Sequence, residues 1–255
     1  MVVPKLSEYA KKYNYAKFSR DDAGILEVAF HTNGSDLIWS TDVDQEFGYM
    51  WEDIGRDTDN KVIILTGTGS TFCAVEDFTT VHDTPEFWAR IHADGKRLLM
   101  SHLDIEVPVI AAVNGPASVH AELAMLCDIV LASESAYFQD APHFPAGRVP
   151  GDGVHVVWQQ LLGVNRGRYF LLTGEKLSAQ EALRLGAVGE VLPSADLLPR
   201  ARELARMILE RPKMTVRYTR AVMVQHYKKA LLDNLGYGLA LELLSFQGMW
   251  PSDPK

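Results

Sequence analysis

The sequence predicts an α/β fold, with strands and helices alternating along the chain. Three observations carry that prediction. Two continuous apolar runs, Val62–Leu65 and Val109–Val113, have the length and character of strands buried on both faces. Each ends in a turn signal, Thr66-Gly67 in the first case and Asn114-Gly115-Pro116 in the second. Between and after them lie stretches of helical character. In such a sheet, ligands collect beyond the carboxyl ends of the strands, which is where both turn signals fall.

The elements follow in order. Leu6–Tyr13 reads as an N-terminal helix, and Ala16–Phe30 as a hairpin turning at Asp21-Asp22-Ala23-Gly24. Ser40 or Thr41 caps a helix running to about Gly55. After the strand Val62–Leu65, a helix is expected near Phe87–Met100, then the strand Val109–Val113. A helix begins near His120 and another strand covers Ile129–Ala132. Ser178-Ala179-Gln180-Glu181 is a capping box, and Gly186 stops the helix it opens. Asp196–Glu210, Pro212–Lys229 and Leu231–Gln247 all read as helices with no strand between them. The chain is therefore divided into a core, 1–195, and a helical region, 196–255.

The 255 residues suffice for one large core and a small appendage. A hydrophobic content of 47% and a charged content of 23% are ordinary for a globular protein. No apolar run approaches the roughly 20 residues that span a bilayer, and the N-terminus lacks the pattern of a signal peptide. Cys73 and Cys127 sit in apolar surroundings as buried thiols, so no disulfide is expected and a cytoplasmic setting is the simplest. A net charge of −8 argues against a nucleic-acid surface.

A set of segments in fixed order resembles the crotonase (enoyl-CoA hydratase/isomerase) superfamily. These are Val62–Gly67, Thr71-Phe72-Cys73-Ala74, Pro108–Gly115, Glu122–Asp128, Phe138-Gln139 and Leu172-Thr173-Gly174, ending with Ala182 and Gly186-Ala187-Val188. The resemblance implies a spiral of ββα repeats followed by a C-terminal helical trimerisation region. It also implies a homotrimer or a dimer of trimers. The departures matter as much. Where the superfamily has a glycine run, this chain has Pro116-Ala117-Ser118-Val119-His120-Ala121-Glu122. Where hydratases carry a second catalytic glutamate, it has His143.

That combination looks like the β-diketone hydrolases of the 6-oxocamphor hydrolase type. The matching pieces include Leu37-Ile38-Trp39, Val119–Glu122, Pro142–Pro145, Pro150–Trp158, Asn165–Gly174 and Gly238–Glu242. The resemblance implies hydrolysis of a carbon–carbon bond in a cyclic or bicyclic 1,3-diketone, a small-molecule substrate, and no required cofactor. One departure stands out: the family has a histidine near the position of Asp44, and this chain has none there.

Retro-Claisen hydrolysis sets three tasks: activating water, stabilising charge on a carbonyl oxygen, and protonating a carbanion. His143 is the candidate base, because a neutral imidazole titrates near neutrality. Asp152, across a Pro- and Gly-rich loop, is the candidate carboxylate on its far ring nitrogen. The plainer reading makes His143 a loop histidine and Asp152 the N-cap of a helix over 153–162. His120, at a strand-to-helix junction, is the candidate for oxyanion stabilisation, assisted by the backbone amides of Val119 and Glu76 and by the indole of Trp39. Trp39 reads equally as core packing, and His120 as a satisfied helix-start histidine. Glu122 matches the first hydratase glutamate, a candidate proton donor, or serves the helix dipole instead. Glu242 matches a residue implicated in the diketone hydrolases, or faces solvent; its helix reaches the site only by folding back or from a neighbouring subunit.

The other histidines, 31, 82, 92, 102, 155 and 226, show no metal-ligand spacing, so no metal is expected. Gly67-Thr68-Gly69-Ser70 lacks the Gly-Lys-Ser/Thr of a phosphate loop, and no Gly-x-Ser-x-Gly elbow occurs. Lys11, Lys12, Lys17 and Arg20 form a basic cluster, read either as solvated charge or as residual coenzyme A binding carried over from the superfamily. Two other functions remain open beside the diketone hydrolase. One is an acyl-CoA hydratase or isomerase, which has only one of its two glutamates here. The other is a non-catalytic or RNA-binding scaffold, against which the negative charge counts.

Overall fold

Continuous burial decides the centre of the fold. In the computed structural model, which describes residues 3–78 and 84–247, a six-stranded sheet runs in the order β1-β2-β4-β6-β7-β10. Its strands are β1 (Ala16–Arg20), β2 (Ile25–Phe30), β4 (Val62–Gly67), β6 (Val109–Val113), β7 (Ile129–Ser133) and β10 (Glu190–Leu192). All neighbours are parallel except β1 and β2. Residues 62–65 and 109–113 are wholly buried, as apolar residues on both faces of a central parallel strand must be. The edge strand β1 alternates instead. The hairpin turn forms as expected: Gly24 N–H donates to Asp21 O at 3.0 Å and Ile25 N–H to Asp21 Oδ1 at 2.9 Å.

Two-stranded ladders flank this sheet. β3 (Ile38–Trp39) pairs with β5 (Val75–Glu76), and β8 (Tyr137–Phe138) with β9 (Leu177–Ser178). The helices are α1 (Leu6–Tyr9), α2 (Thr41–Arg56), α3 (Pro85–Asp104), α4 (Glu122–Met125), α5 (Val154–Leu162), α6 (Val164–Thr173), α7 (Ala179–Arg184), α8 (Ser194–Leu209), α9 (Lys213–Met223) and α10 (Gln225–Gln247). Ser40 caps α2 by accepting from Val43 N–H, and Ser178 caps α7 by accepting from Glu181 N–H. The expected N-terminal helix is a single turn, and the helix expected near His120 shrinks to Glu122–Met125. The break in the last helical stretch falls at Val224 rather than near Ala230.

The sheet has a core on each face. The larger one joins α2, α3, α5 and α10 to the sheet. The smaller one packs Leu197, Ala201, Leu204 and Ala205 of α8 on Ile64, Ile110 and Leu131. Each fully buried leucine there contributes roughly 1.5–3 kcal/mol. So α8 belongs to the core layer, and a boundary at 195 cuts through its first turn. Residues 248–255 of the helical region, and His82, lie outside the described residues. Among the described residues, no helix is long and apolar enough to cross a membrane.

Helix α10 folds back over α3 and α5 within the same chain. Glycine makes the approach close. A Cβ on Gly151 would stand 2.1 Å from Gly238 O, and one on Gly238 would stand 2.3 Å from Gly151 O. Only two glycines let these backbones touch. Asp152 follows the first, and Glu242 lies one helical turn beyond the second.

Candidate active site

The loops after β4 and β6 leave the carboxyl edge of the sheet side by side. Asn114 ties them: its Oδ1 accepts from Gly67 N–H at 2.9 Å, and its Nδ2 donates to Gly69 O and Thr71 O, both at 3.2 Å. Beyond them opens a cavity of about 270 Å³. Trp39, Asp44, Glu76, His120, His143, Arg148, Asp152 and Glu242 line it, among the apolar side chains of Phe78, Phe87, Trp88, Ile91, Leu98, Leu239 and Phe246. The sequence-predicted residues His143, Asp152, His120, Glu242, Trp39 and Glu76 therefore share one chamber.

His143 sits on the loop after β8, at φ −96° and ψ −105°, a backbone conformation that belongs to neither helix nor strand. Its Nδ1 lies 2.6 Å from Asp140 Oδ1, and both side chains are buried. Its Nε2 faces Asp152 Oδ2 and Glu242 Oε1, each at 3.5 Å. The orienting carboxylate is thus Asp140, three residues upstream, and not Asp152. The expected pairing is corrected because the loop turns the ring back onto its own start. Asp152 instead stands between the two imidazoles, 3.6 Å from His120 Nδ1. It has little capping duty: Gly153, at φ 112°, begins α5, and Asp152 Oδ1 receives only a long contact of 3.4 Å from Val154 N–H.

His120 also adopts an unusual backbone, with φ 46°. A left-handed histidine costs about 1–3 kcal/mol and survives only where the surroundings impose it. Here Glu122 Oε1 holds Nδ1 at 2.7 Å, and the ring lies 4.0 Å from Trp39, tilted by 33°. The Trp39 indole N–H is buried with no partner among the described residues. A donor without an acceptor beside a substrate cavity is a donor available to a bound oxygen. Trp39 also packs edge-on to Phe47, as the core-packing reading expects.

Two expectations need correction. The Val119 amide is not free, because it donates to Cys73 O at 3.2 Å where residues 117–119 run alongside Cys73. Glu122 is fully buried behind His120 and does not line the cavity, so it positions the imidazole rather than meeting substrate. Glu76 lies opposite Trp39 in the β3–β5 ladder and accepts from Arg148 at 3.4 Å. The basic cluster near the N-terminus is partly tied up in ion pairs, Lys12 with Asp53 at 2.9 Å and Arg20 with Asp57 at 2.7 Å.

The charges explain each other. Burial opposes the charge of His120, but Glu122, Asp152 and Asp44 outweigh it and raise its pKa to about 9. Burial likewise opposes the His143 cation, and Asp152, Asp140 and Glu242 together raise its pKa well above the ordinary value. Burial raises Glu242 and Glu122, in part offset by their histidine neighbours. Burial also resists ionisation of Asp152, yet the two imidazoles lower its pKa. Two sets, His120–Glu122–Asp152 and His143–Asp152–Glu242, bring their donor atoms within 4.8 Å of one another, close enough to surround a cation. Residue spacing showed neither set, because their members come from separate segments. Within them, His120 Nδ1 and Glu122 Oε1 are at hydrogen-bond distance, 2.7 Å, and the other imidazole–carboxylate contacts are 3.5–3.6 Å.

The enoyl-CoA hydratase/isomerase family model matches residues 21–243. The chain belongs to this family, the crotonase superfamily. A curated relative, a probable peroxisomal enoyl-CoA hydratase 1 of Arabidopsis thaliana, is 32% identical over 230 residues, which is 90% of this chain and 84% of that one. Among solved structures, a β-diketone hydrolase of the cyanobacterium Anabaena sp. PCC 7120, bound to (S)-3-oxocyclohexyl acetic acid, is 48% identical. It covers 95% of this chain and 98% of its own, with a TM-score of 0.93. An enoyl-CoA hydratase/isomerase from Mycobacterium paratuberculosis is 30% identical, covers 91% and 94%, and has a TM-score of 0.85. The fold expected from the ordered crotonase segments is thus the fold of the family.

Asp140 and Asp44 went unnamed as site residues in the sequence reading. A carboxylate three residues before the histidine, Asp140-Ala141-Pro142-His143, was the available signal for the first. For the second, only the absent family histidine marked the position.

Proposed function

We propose that this protein hydrolyses a carbon–carbon bond in a cyclic or bicyclic 1,3-diketone and releases a keto acid. One observation carries the reading. Two imidazoles face a single, largely apolar cavity, one backed by a buried carboxylate and the other stacked on a tryptophan whose N–H has no partner among the described residues. The likeness to the Anabaena hydrolase supports it. The histidine standing where hydratases carry their second glutamate counts against hydration of an enoyl-CoA.

The chemistry follows from the contacts. His143 Nε2 and Glu242 Oε1 are 3.5 Å apart, and both groups bind a proton more tightly than usual, so one proton passes between them. With that proton on Glu242, His143 is neutral and takes another from water. Asp140 and Asp152 stabilise the resulting imidazolium. Hydroxide adds to one carbonyl carbon, and the carbon–carbon bond breaks as the tetrahedral centre collapses. The bonding pair passes into an enolate. Its oxygen is met by the His120 imidazolium and the Trp39 N–H, fixed donors in a largely apolar cavity. No cofactor enters these steps.

A bridged bicyclic 1,3-diketone and crotonyl-CoA, each incubated with the protein, test the reading. Loss of diketone with appearance of a keto acid is expected, with crotonyl-CoA left unhydrated. Hydration of crotonyl-CoA with the diketone untouched would overturn the assignment. The exposed Tyr218, Val222, Leu232 and Tyr237 on α9 and α10 support reading the C-terminal helices as a contact between copies, which light scattering checks.

A further inference from the structure

Asp44 is a carboxyl group in an unusual position. It lies in the first turn of α2, where an acidic residue ordinarily serves the helix dipole from the surface. Asp42 does that, exposed, two residues earlier. Asp44 instead is 8% exposed and lines the cavity with His120 and His143. No hydrogen-bond donor among the described residues reaches its side chain. The other carboxyls of the chamber are engaged: Asp152 and Glu242 around His143, and Glu76 with Arg148.

We propose that Asp44 is the acid that delivers a proton to the carbon of the departing enolate. This rests on the diketone-hydrolase reading. The enolate oxygen is held at His120 and Trp39, and Asp44 follows Trp39 by five residues on the same short segment. The carbon that must be protonated is bonded to the carbon bearing that oxygen, so it is presented to the same wall. In the step, the enolate π pair forms the new C–H bond with the carboxyl proton of Asp44, and the carbonyl re-forms as charge leaves the oxygen. Asp44 becomes a carboxylate. The proton taken from water by His143 then returns to it through solvent, and both groups are restored.

The surroundings suit the role. Burial raises the Asp44 carboxyl to about 7; Asp94 on α3, Asp152 before α5 and Glu242 on α10 add to the effect, and His120 opposes it. A carboxylic acid of that strength is protonated in a large share of molecules at neutral pH and still gives up its proton readily.

The test is ring opening in deuterium oxide of a bridged bicyclic 1,3-diketone that yields a 3-oxocyclohexyl acetic acid. Its bridgehead hydrogen cannot enolise, so each turnover adds one deuterium to the released ring carbon. NMR reads which face receives it. The wild-type protein is expected to label one face. Asp44→Asn is expected to label both faces about equally and to lose about 10²–10⁴-fold in kcat. Should Asn fail to fold, Asp44→Ser serves, because it also lacks an acidic proton. One-face labelling at an unchanged kcat in the variant would overturn the assignment while leaving the diketone-hydrolase reading intact. A wild-type protein that does not open the ring would overturn both.

Discussion

Replacing Asp140 with Asn isolates the charge behind His143. The side chains are nearly the same shape, and the Asn oxygen still accepts from Nδ1–H, so tautomer and ring orientation are kept. What is lost is the ionic part of a buried 2.6 Å contact. Hydrogen bonds to charged groups contribute about 1.5–3 kcal/mol, so kcat is expected to fall roughly 10- to 150-fold. The same energy appears in the imidazole titration. Asp140 is one of three carboxylates that raise the His143 pKa, with Asp152 and Glu242. Its neutralisation should lower that pKa and leave it partly raised. Diketone turnover gives the first quantity, and NMR titration of the labelled imidazole gives the second. A variant that turns over within twofold of wild type, or whose His143 titrates unchanged, would refute the role given to Asp140.

Other expectations concern the opposite wall and the frame. His120→Ala should reduce kcat by about 10²–10³, the usual loss for one oxyanion donor, with little change in KM; steady-state kinetics showing less than a threefold loss would mean that Trp39 suffices. Arg220, 1% exposed, donates to Ile105 O at 2.7 Å and pairs with Asp128, whose side chain is only 9% exposed. Arg220→Met leaves that carboxylate with the Val109 N–H at 2.7 Å but no opposite charge, so a loss of about 3–5 kcal/mol is expected, seen in thermal melts as a fall of roughly 6–20 °C. Asp44 titrates at about 7 in the folded chain against an ordinary 3.8. The folded state therefore binds the extra proton between those values, and stability declines as pH rises through that window. Asp44→Asn should gain on wild type from pH 4 to pH 8, by at most on the order of 4 kcal/mol. Urea melts giving a constant difference across that range would exclude this.

Local signals carried much of the architecture. Val62–Leu65 and Val109–Val113 announce buried central strands by composition alone, and Ser40, Ser178 and the Asp21–Gly24 turn act through contacts only a few residues long. Helix α8 was harder, because its apolar stripe says that it packs on something without saying what. In the site, the histidines stood out through their departure from the crotonase pattern. Their carboxylate partners did not sort themselves correctly. Asp140 rather than Asp152 backs His143 because of an irregular backbone at residue 143, which no propensity encodes. The Val119 amide was lost to Cys73 through a bridge between residues 73 and 117, a contact made across 44 positions. The inward face of Asp44 depends on which side of α2 meets the cavity, and its acidic first turn alone suggested a surface role.

The touching backbones at Gly151 and Gly238 have a consequence for when the protein becomes active. His120, His143 and Trp39 all precede α10, yet Leu239, Glu242 and Phe246 reach the cavity only when that helix settles against the glycine pair. A chain clipped before α10 retains both histidines but lacks Glu242, the acceptor of the His143 proton in the proposed reaction. In the proposed reaction, competence therefore waits on the docking of α10. Until then the molecule would leave the 1,3-diketone of the proposed reaction uncleaved.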